Sequence, residues 1–345
     1  MMDLKWTPNK IAVIADQNVL QLFPYYIDSL GFDAPIHVFS VLPGERNKSI
    51  EEATYLWQNL LENHFDKQSL IINFGGGMVS DLGGFVASTY QRGIPFVNIP
   101  TTLLGMIDAA VGGKNAINLN GVKNMVGTVN LPEKVIVDTL FLKTLSPLQI
   151  LDGFGEMIKY ALIGNESLWN EIKRLESIKN QDIKKEWIDG CVSFKEKIVQ
   201  EDLYDQGLRH ILNFGHTMGH AIEAYFMQKD KDEKKSFPTV SHGHAVALGM
   251  VMESYLSYRY GLLSQAAFEE IQTVILRYYK NVIKDLSTNQ IEKIVDFCLL
   301  DKKNVNGRIN ITMLESIGHA TPNHFVTIKE CEEAIIQMNL YPFIP

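Results

Sequence analysis

The stretch Leu70-Ile-Ile-Asn-Phe-Gly75-Gly76-Gly77-Met-Val-Ser-Asp81-Leu-Gly83-Gly84 decides how the first part of this chain folds. Its apolar beginning predicts a buried strand, its glycines predict a tight turn, and a helical pattern then runs to Tyr90. Glycines let backbone amides approach a phosphate closely, and the start of a helix adds partial positive charge. The stretch departs from Gly-x-Gly-x-x-Gly, because Ser80 stands at the last position. Two interpretations stay open: a dinucleotide pyrophosphate site, which its place after the third predicted strand favours, or a turn that needs glycine only for its geometry.

Short apolar runs alternate with helical patterns throughout residues 1–146. Strands are predicted at Ile11–Ala15, Ile36–Leu42, Leu70–Phe74, Pro95–Ile99 and Val135–Asp138, and a helix at Ser49–Asn63. Continuous apolar strands separated by helices predict a parallel sheet covered on both faces, which is a doubly wound, Rossmann-like α/β domain. Ligands of such sheets bind at the carboxyl ends of the strands. Pro100-Thr101-Thr102 lies at one of these ends, where its hydroxyls either reach a nucleotide or cap the helix near Leu103.

From Ser146-Pro147 onward the pattern becomes helical, and this pair is typical of a helix start. Helices are predicted at Asp152–Ile163, Ser167–Leu175, Lys184–Glu201, His216–Phe226, Gly243–Tyr260, Ser264–Tyr279 and Thr288–Leu300, and a strand at Ile309–Leu314. The charged segment Gln228–Pro238 predicts a solvated loop. We therefore expect two domains, an α/β domain at residues 1–146 and an all-α domain at residues 147–345.

The composition excludes several classes of protein. A chain of 345 residues with 46% hydrophobic content is long enough for a packed core in each of two domains. The net charge of −8 argues against a general nucleic-acid binder. Cys191, Cys298 and Cys331 show no Cys-x-x-Cys spacing and fit a reducing compartment. No stretch approaches the roughly 18 apolar residues of a membrane span, so we expect a soluble cytoplasmic protein.

Five of the nine histidines lie between Arg209 and His244. Histidine is the commonest metal ligand and titrates near neutrality, so the cluster predicts a metal centre or an acid/base site. His216 and His220 are four positions apart and share one face of a helix; the plainer alternative is a pair of structural histidines. Thr217 follows His216, so the glutamate of a His-Glu-x-x-His protease is absent.

A carboxylate and several cations accompany the histidines. Glu156 and Lys159 share a helix face among apolar neighbours, which leaves open a surface ion pair or a buried functional pair. A carboxylate of this kind is a natural third ligand beside two histidines. Further cations stand at Lys114, Lys123, Lys195, Arg209 and in Asp301-Lys302-Lys303, and lysines flanked by glycine are often merely solvated.

Together these motifs resemble those of the 3-dehydroquinate synthases, a family of sugar-phosphate cyclases. The resemblance spans nearly the whole chain, and its strength lies in the order and number of the motifs. They are Pro43-Gly-Glu45-Arg-Asn-Lys48-Ser, Gly75 to Phe85, Tyr90-Gln-Arg92-Gly, Ile99-Pro-Thr101-Thr102-Leu-Leu, Asp108 to Lys114, Lys123-Asn124, Gly155-Glu156-Met-Ile-Lys159-Tyr, Leu212-Asn213-Phe-Gly-His216-Thr-Met-Gly-His220 and His242-Gly-His-Ala-Val-Ala.

The resemblance implies a dehydroquinate synthase-like fold, in which an NAD-binding α/β domain precedes a helical metal-binding domain and the active site lies in the cleft. It implies conversion of 3-deoxy-D-arabino-heptulosonate 7-phosphate into 3-dehydroquinate and phosphate, a step of the shikimate pathway to chorismate and the aromatic amino acids. NAD is reduced and reoxidised within each turnover. The implied metal is typically Zn²⁺, with Co²⁺ possible, and the implied assembly is a homodimer that binds neither nucleic acid nor membrane.

Carried over residue by residue, the resemblance assigns the metal to Glu156, His216 and His242, whereas helical spacing alone pairs His216 with His220. It assigns the cofactor to Asp16 (a weaker match), Glu45, Lys48, Gly76, Gly77, Asp81, Thr101, Thr102, Lys123, Thr144 and Leu145. It assigns substrate contact or catalysis to Asp108, Lys114, Lys123, Asn124, Lys159, Lys195, Arg209, Asn213, His220 and Lys302. Arg92 is expected to reach the phosphate across the dimer contact.

Three positions depart from the family pattern. His244 stands where the family commonly has Glu, Asn115 follows Gly-Gly-Lys where Thr is usual, and Gln228–Pro238 resembles a local insertion. We expect His244 to alter the surroundings of the metal, because it lies two residues from a predicted ligand. The alternatives are a sister cyclase acting on sedoheptulose 7-phosphate or glucose 6-phosphate, a metal-dependent dehydrogenase of the glycerol dehydrogenase type, and a silent homologue. The intact set of Lys114, Lys123-Asn124 and Arg209 favours the synthase over the sister cyclases.

Overall fold

A computed structural model of the chain describes residues 6–120, 122–235, 239–299 and 308–340. The chain divides into two compact units, Met1–Ile150 and Leu151–Pro345. The division falls inside a helix that begins at Pro147, whereas the sequence places the domain boundary just before that proline.

The N-terminal unit is built on a parallel sheet. Its strands are β1 (Ile11–Asp16), β2 (Ile36–Val41), β3 (Leu70–Gly75), β4 (Phe96–Pro100), β5 (Lys114–Leu119), β6 (Val122–Val129) and β7 (Lys134–Val135). Five of them form the parallel sheet in the order β2-β1-β3-β4-β7, and β5 and β6 form an antiparallel hairpin. The helices are α1 (Gln17–Leu22), α2 (Tyr26–Ser29), α3 (Ile50–Glu62) and α4 (Gly77–Thr89).

The predicted doubly wound α/β architecture is confirmed in this unit. The strands β3 and β4 are buried along their whole length, as expected for apolar runs covered on both faces. The strand order reverses at β1, whose neighbours are β2 and β3, and the carboxyl ends of β1 and β3 therefore flank the crevice where such sheets bind ligands. The β5–β6 hairpin was not predicted, because β6 is exposed at most positions and lacks alternating polarity.

The C-terminal unit is mostly helical, as expected. Its helices are α5 (Pro147–Gly164, which starts in the preceding unit), α6 (Glu166–Ile172), α7 (Lys185–Glu201), α8 (His216–Asp232), α9 (His242–Arg259), α10 (Gln265–Tyr278), α11 (Thr288–Cys298) and α12 (Ile328–Leu340). It is not purely helical, because β8 (Ile309–Ser316) and β9 (His319–Val326) form an antiparallel hairpin. Only β8 was predicted, since Pro322 and the polar residues of β9 hide the pattern of a strand.

The helices α8 and α9 pack backbone to backbone. A Cβ atom at Gly219 would lie 2.9 Å from the Cα of Val246, and one at Gly249 would overlap the carbonyl oxygen of Gly215. Glycine is needed at this crossing because the two backbones leave no room for a side chain. In this arrangement the rings of His216, the first residue of α8, and of His242, the first residue of α9, lie 5.7 Å apart.

Two further features correct or refine the predictions. The charged segment is not a loop from its beginning, because α8 continues to Asp232; Ser236, Phe237 and Pro238 lie outside the described residues. Cys191, Cys298 and Cys331 are buried free thiols. Within the described ranges, we find no helix with the length and apolar character needed to cross a membrane.

Candidate metal and nucleotide sites

Three side chains that are distant in sequence converge in the C-terminal unit. Glu156 comes from α5, His216 from the start of α8 and His242 from the start of α9. The Nε2 atoms of His216 and His242 lie 3.3 and 3.4 Å from the same carboxylate oxygen, Oε1 of Glu156. All three residues offer ligand atoms within 4.8 Å of one another, so the group has the spacing of a metal site.

The two imidazoles are oriented by their second ring nitrogens. Nδ1 of His216 lies 3.2 Å from the carbonyl oxygen of Phe214, and Nδ1 of His242 lies 3.2 Å from Oε2 of Glu223. If each Nδ1 carries the proton, it donates to that oxygen, and each Nε2 is left with its lone pair toward Glu156. This is the arrangement in which protein histidines bind metals.

Burial and neighbouring charges shift the pKa values of the three residues in this cluster. Burial alone would raise the pKa of Glu156, but the charges of Lys159 and His216 hold it well below its usual range. Burial lowers the pKa of His216, and Glu156 only partly opposes this. The carboxylates Glu156 and Glu223 outweigh burial at His242 and raise its pKa well above its usual value. The carboxylate is therefore ionised, as a metal ligand must be.

Lys159 forms a buried ion pair with Glu156. The side chains of Lys159 and Glu156 are 2% and 0% exposed, and the ammonium contacts Oε2 of Glu156. The ammonium also lies 4.8 Å from the ring centroid of Tyr160. The surface-pair interpretation of Glu156 and Lys159 is therefore wrong, because their helix is enclosed on all sides at this point.

His220 and His244 differ in their contacts. The His220 ring lies 5.3 and 5.8 Å from the rings of His216 and His242, and His220 forms a second potential ligand group with Glu223 and His242. His244 instead places Nε2 2.7 Å from the carbonyl oxygen of Lys280. The expectation that His244 alters the surroundings of the metal gains no support from this contact, because its ring is engaged with the chain that follows α10.

The predicted substrate cations of this unit are largely buried. Arg209 and Lys195 are 3% and 7% exposed, and Arg209 donates a hydrogen bond of 2.8 Å to the carbonyl oxygen of Leu203. Arg209 and Asn213 belong to one 3₁₀ segment, Leu208–Asn213, which is separated from α8 by two residues. Lys302 lies outside the described residues.

In the N-terminal unit, six of the predicted cofactor residues line one cavity of about 500 Å³ at the carboxyl edge of the sheet. They are Asp16, Gly76, Thr101, Thr102, Thr144 and Leu145. Gly76 caps α4 and Thr102 accepts a hydrogen bond from the amide of Gly105. Thr102 therefore caps a turn, and both threonines line the cavity.

The glycines of the turn are needed for close approach. A Cβ atom at Gly76 would lie 3.0 Å from Cγ2 of Thr102, and one at Gly77 would lie 2.8 Å from Cβ of Ala109. The backbone geometry therefore requires glycine at both positions whether or not a phosphate binds.

Asp16 contacts its own neighbours in the chain, since its Oδ1 accepts the amide of Asn18 at 2.8 Å and so caps α1.

Three further predicted cofactor residues, Glu45, Lys48 and Asp81, form a separate network around the ammonium of Lys48, which is 3% exposed. Its ammonium lies 2.8 Å from Glu45 and 3.0 Å from Asp81, and it donates to Oδ1 of Asn124 at 2.6 Å. Although burial disfavours its charge, the carboxylates of Asp81 and Glu45 raise the pKa of Lys48. Asn118, which no sequence motif singles out, donates to Oε1 of Glu45 at 3.0 Å and links the network to the hairpin.

The other predicted residues of this unit are more open. Lys114, Lys123 and Asn124 lie on the β5–β6 hairpin and are exposed, whereas Asp108 is half-buried in a π-helical segment, Gly105–Ala109. Arg92 is also exposed and lines a different cavity, of about 650 Å³, at the opposite edge of the sheet, where β4 begins.

Two family models account for most of the chain. The 3-dehydroquinate synthase N-terminal model matches residues 38–152, and the 3-dehydroquinate synthase C-terminal model matches residues 153–304. The chain belongs to the 3-dehydroquinate synthase family.

Individual relatives agree with this family membership. A 3-dehydroquinate synthase of Clostridium perfringens (strain SM101 / Type A) is 40% identical over 296 residues, which are 85% of this chain and 80% of the relative. One from Enterococcus faecalis (strain ATCC 47077 / OG1RF) is 37% identical over 322 residues, which are 91% of this chain and 86% of the relative.

The fold is also found in a more distant cyclase. The structure of 2-epi-5-epi-valiolone synthase from Streptomyces hygroscopicus, solved with NAD⁺ and Zn²⁺ bound, has a TM-score of 0.82 at 24% identity. The match covers 96% of this chain and 91% of that one. At this identity the likeness shows the shared fold of the 3-dehydroquinate synthase family and its neighbours.

Sequence reasoning missed some residues that hold the site of this family member together. Glu223, three residues after His220, contacts Nδ1 of His242, and Asp152 accepts the amide of Gly243 at 2.6 Å. The spacing of Glu223 from His220 was a usable signal, because residues three apart share a helix face. Asp152 carried no signal, since its partner lies 91 residues away.

Proposed function

We propose that this chain is a 3-dehydroquinate synthase, which converts 3-deoxy-D-arabino-heptulosonate 7-phosphate into 3-dehydroquinate and phosphate with catalytic NAD and a divalent metal. This reaction is a step of the shikimate pathway to the aromatic amino acids. The observation that carries the proposal is the convergence of Glu156, His216 and His242 beside the buried Lys159, in a chain of this family.

The donor set fits Zn²⁺, or Co²⁺ in its place. Two imidazole nitrogens and one carboxylate form the three-ligand set of many catalytic zinc sites, which keep a further position for substrate. The carboxylate oxygen Oε1 of Glu156 is buried, faces the Nε2 atoms of His216 and His242, and has no well-formed hydrogen bond within the described part of the chain, so its lone pairs are available to a cation. The Zn²⁺ bound to 2-epi-5-epi-valiolone synthase supports the same assignment.

NAD is proposed to bind along the cavity at the carboxyl edge of the parallel sheet. Gly76 and Gly77 let the start of α4 approach a pyrophosphate closely, and the N-terminus of this helix favours negative charge. Thr101, Thr102, Thr144 and Leu145 line the same cavity. The NAD⁺ bound to 2-epi-5-epi-valiolone synthase supports a cofactor in this fold.

Bound NAD would accept and return the hydride, and the bound metal would polarise the hydroxyl being oxidised. The residues of the chain hold and orient the substrate, whose carboxylate and phosphate require cations. Arg209 and Lys195 supply buried positive charge, which is stronger there than in water. Lys159 keeps Glu156 ionised beside His216. Since no dedicated base for the elimination stands out among the residues that the structure describes, orientation and charge are the main contributions proposed for the protein.

We also propose a cytoplasmic homodimer in which Arg92 reaches the phosphate bound by the partner subunit. The φ angles of Gln91 and Arg92 are +49° and +65°, which are unfavourable for residues other than glycine. Such conformations tend to be kept where function needs them, and here they hold an exposed guanidinium beside a cavity that Lys67 also lines. The three buried free thiols fit a reducing compartment.

The test is phosphate release by the zinc-loaded protein with catalytic NAD, measured separately on the heptulosonate phosphate, sedoheptulose 7-phosphate and glucose 6-phosphate. We expect phosphate only from the first, without accumulation of NADH. Phosphate from another sugar alone would indicate a sister cyclase, and accumulation of NADH without phosphate would indicate a dehydrogenase.

The site assignment is tested by His216→Ala. Because loss of one ligand should release the metal, turnover should fall on the order of 10³-fold or more, while NAD binding remains. His319→Ala, in the exposed pair with Glu315, is the matched control and should retain full activity. Full activity of His216→Ala would contradict the assignment.

A further inference from the structure

A buried carboxylate that the proposed reaction does not use lies beside the start of α8. Glu253, in α9, is 0% exposed. Its Oε2 accepts a hydrogen bond of 2.8 Å from the amide of Gly215, and its Oε1 accepts one of 3.4 Å from the amide of Met218. These amides flank His216, the first residue of α8.

The helix α8 has no side chain of its own to cap its start. Its N-cap residue is Gly215, with φ at +78°, whereas Ser, Thr, Asp or Asn usually accepts the amides of the first turn from this position. A larger residue is excluded, since a Cβ atom at Gly215 would lie 2.8 Å from the carbonyl oxygen of Val246. Met218 is the third residue of the helix, and its amide is a usual target of a capping side chain. Glu253 therefore supplies, from another helix, the acceptor that glycine lacks.

This contact links the two histidines through one rigid element. His242 is the first residue of α9, and Glu253 lies about three turns further along the same helix, against the beginning of α8. Because Glu253 accepts the amides of Gly215 and Met218, which stand before and after His216 in the chain, it fixes the position of His216 relative to α9. The carboxylate is also favourably placed for the partial positive charge at the start of α8.

We propose that Glu253 is a positioning residue for the metal site, which caps α8 from α9 and so holds His216 at the distance from His242 and Glu156 that a divalent metal requires. The inference rests on the proposed function in one respect, namely that Glu156, His216 and His242 bind such a metal. Its consequence is a higher affinity of the metal-free protein for Zn²⁺.

The experiment measures the Kd for Zn²⁺ of the full chain, stripped of metal, by competition with a chromophoric chelator. Glu253→Ala leaves two amides without their acceptor, and we expect its Kd to rise on the order of 10- to 100-fold, as for other residues that orient metal ligands. The Glu253→Gln side chain has one acceptor oxygen, which can serve the amide of either Gly215 or Met218, while its NH₂ group then faces the other amide. The rise in its Kd should therefore be smaller, roughly 3- to 10-fold. The visible absorption spectrum of the Co²⁺-loaded proteins should change in the same order, because it reports ligand geometry.

Two controls separate positioning from general stability. Asn281 is buried in the same unit, where it donates to the carbonyl oxygen of Met338 and accepts the amide of Ile283, two partners that lie outside α8. Asn281→Ala should therefore lower the Tm of the metal-free protein while its Kd for Zn²⁺ stays within about twofold, since distant sites act independently. Ser254→Ala, next to Glu253 on α9, should leave both unchanged, because the buried Ser254 hydroxyl has no hydrogen-bond partner within the described residues.

Each outcome of these measurements either supports or overturns the positioning role of Glu253. A Glu253→Ala protein with a lowered Tm but the wild-type Kd and Co²⁺ spectrum would overturn the proposal and leave Glu253 a purely structural residue. If that variant does not fold, an unchanged Kd and spectrum for Glu253→Gln would overturn it equally. Absence of Zn²⁺ binding by the wild-type protein is a different result, because it would overturn the proposed function, and the positioning role with it.

Discussion

The two units of this chain differ in the burial of the charged residues that are predicted to bind metal or substrate. In the C-terminal unit, Glu156, Lys159 and Arg209 are at most 3% exposed. In the N-terminal unit, the predicted substrate residues Lys114 and Lys123 are exposed. A buried charge depends on partners that replace water, whereas an exposed lysine remains solvated when its neighbours change. Substitutions of site residues in the C-terminal unit should therefore change activity and stability together. In much of the N-terminal unit, they should change activity with little effect on stability.

The largest effect should follow from breaking the buried pair of the C-terminal unit. Lys159→Met leaves the carboxylate of Glu156 buried without its cation, which should lower the free energy of unfolding of the metal-free protein by about 3–5 kcal/mol. We expect kcat/KM to fall by at least about 100-fold, far beyond the 0.2–1 kcal/mol of an exposed pair. Urea denaturation and phosphate-release kinetics measure the two effects.

The matched control for this prediction is Lys185→Met, which breaks the exposed pair with Asp189 one turn along α7. It should change stability by no more than about 0.5 kcal/mol. Wild-type activity and stability of Lys159→Met would remove the basis of the comparison between the units.

A smaller effect is expected from the backbone-built part of the N-terminal unit. Gly77→Ala places a Cβ atom 2.8 Å from Cβ of Ala109, and the resulting shift at the start of α4 should lower stability by about 1–3 kcal/mol and weaken NAD binding. Isothermal titration with NAD measures the second effect. The Kd for Zn²⁺ should stay at its wild-type value.

The double variant Gly77→Ala/Ala109→Gly removes the overlapping methyl group and should restore most of the NAD affinity. A double variant no better than Gly77→Ala would mean that the loss does not arise from this contact. A parallel loss of Zn²⁺ binding would show that the units respond together, against the comparison.

The smallest effect concerns the loop that presents Arg209. Asp202 accepts the amides of Gln206, Gly207 and Arg209 at 2.9, 2.8 and 3.0 Å, and the amides of Gln206 and Arg209 chiefly lower its pKa to about 2. Because this value is below the ordinary 3.8, the stabilisation is fully present above pH 3.8 and is lost as the pH falls through about 2. Asp202→Asn should cost about 1 kcal/mol at pH 7.

Urea denaturation of the wild type and of Asp202→Asn across the acidic range measures this difference. The two unfolding free energies should approach each other only below pH 3.8. A difference that is constant down to the lowest pH would contradict the ionic character of the contact, and a difference that grows on acidification would reverse its sign.

Much of the fold was predictable because its signals are local. The apolar runs of β1, β3 and β4 and the helices α5, α7, α9 and α10 appear within a few residues of their predicted bounds. Where the local signal was weak, the prediction failed. The hairpin β5–β6 and the strand β9 carry little alternation, and α8 runs through a charged segment that resembles a loop.

For the candidate site too, the features with a local signal were predictable and the long-range contacts were not. Sequence order and motif content indicate the family and the residue types of the site, and helical spacing by itself pairs His216 with His220. Both His216 and His242 lie within 3.4 Å of Glu156, which is 60 positions before the nearer of them. No local pattern reports such a separation.

By itself, then, the sequence determined the alternation of strands and helices, the chemistry of the available side chains and the glycines at which backbones come close. Only the tertiary structure decided that Glu156 and Lys159 are buried, that His244 turns toward Lys280, and that Glu253 caps a helix that has glycine at its N-cap. The physical reason is the separation along the chain over which each effect acts. Periodicity and turn preferences act within a few residues, whereas burial and the orientation of each histidine depend on helices that pack together from distant parts of the chain.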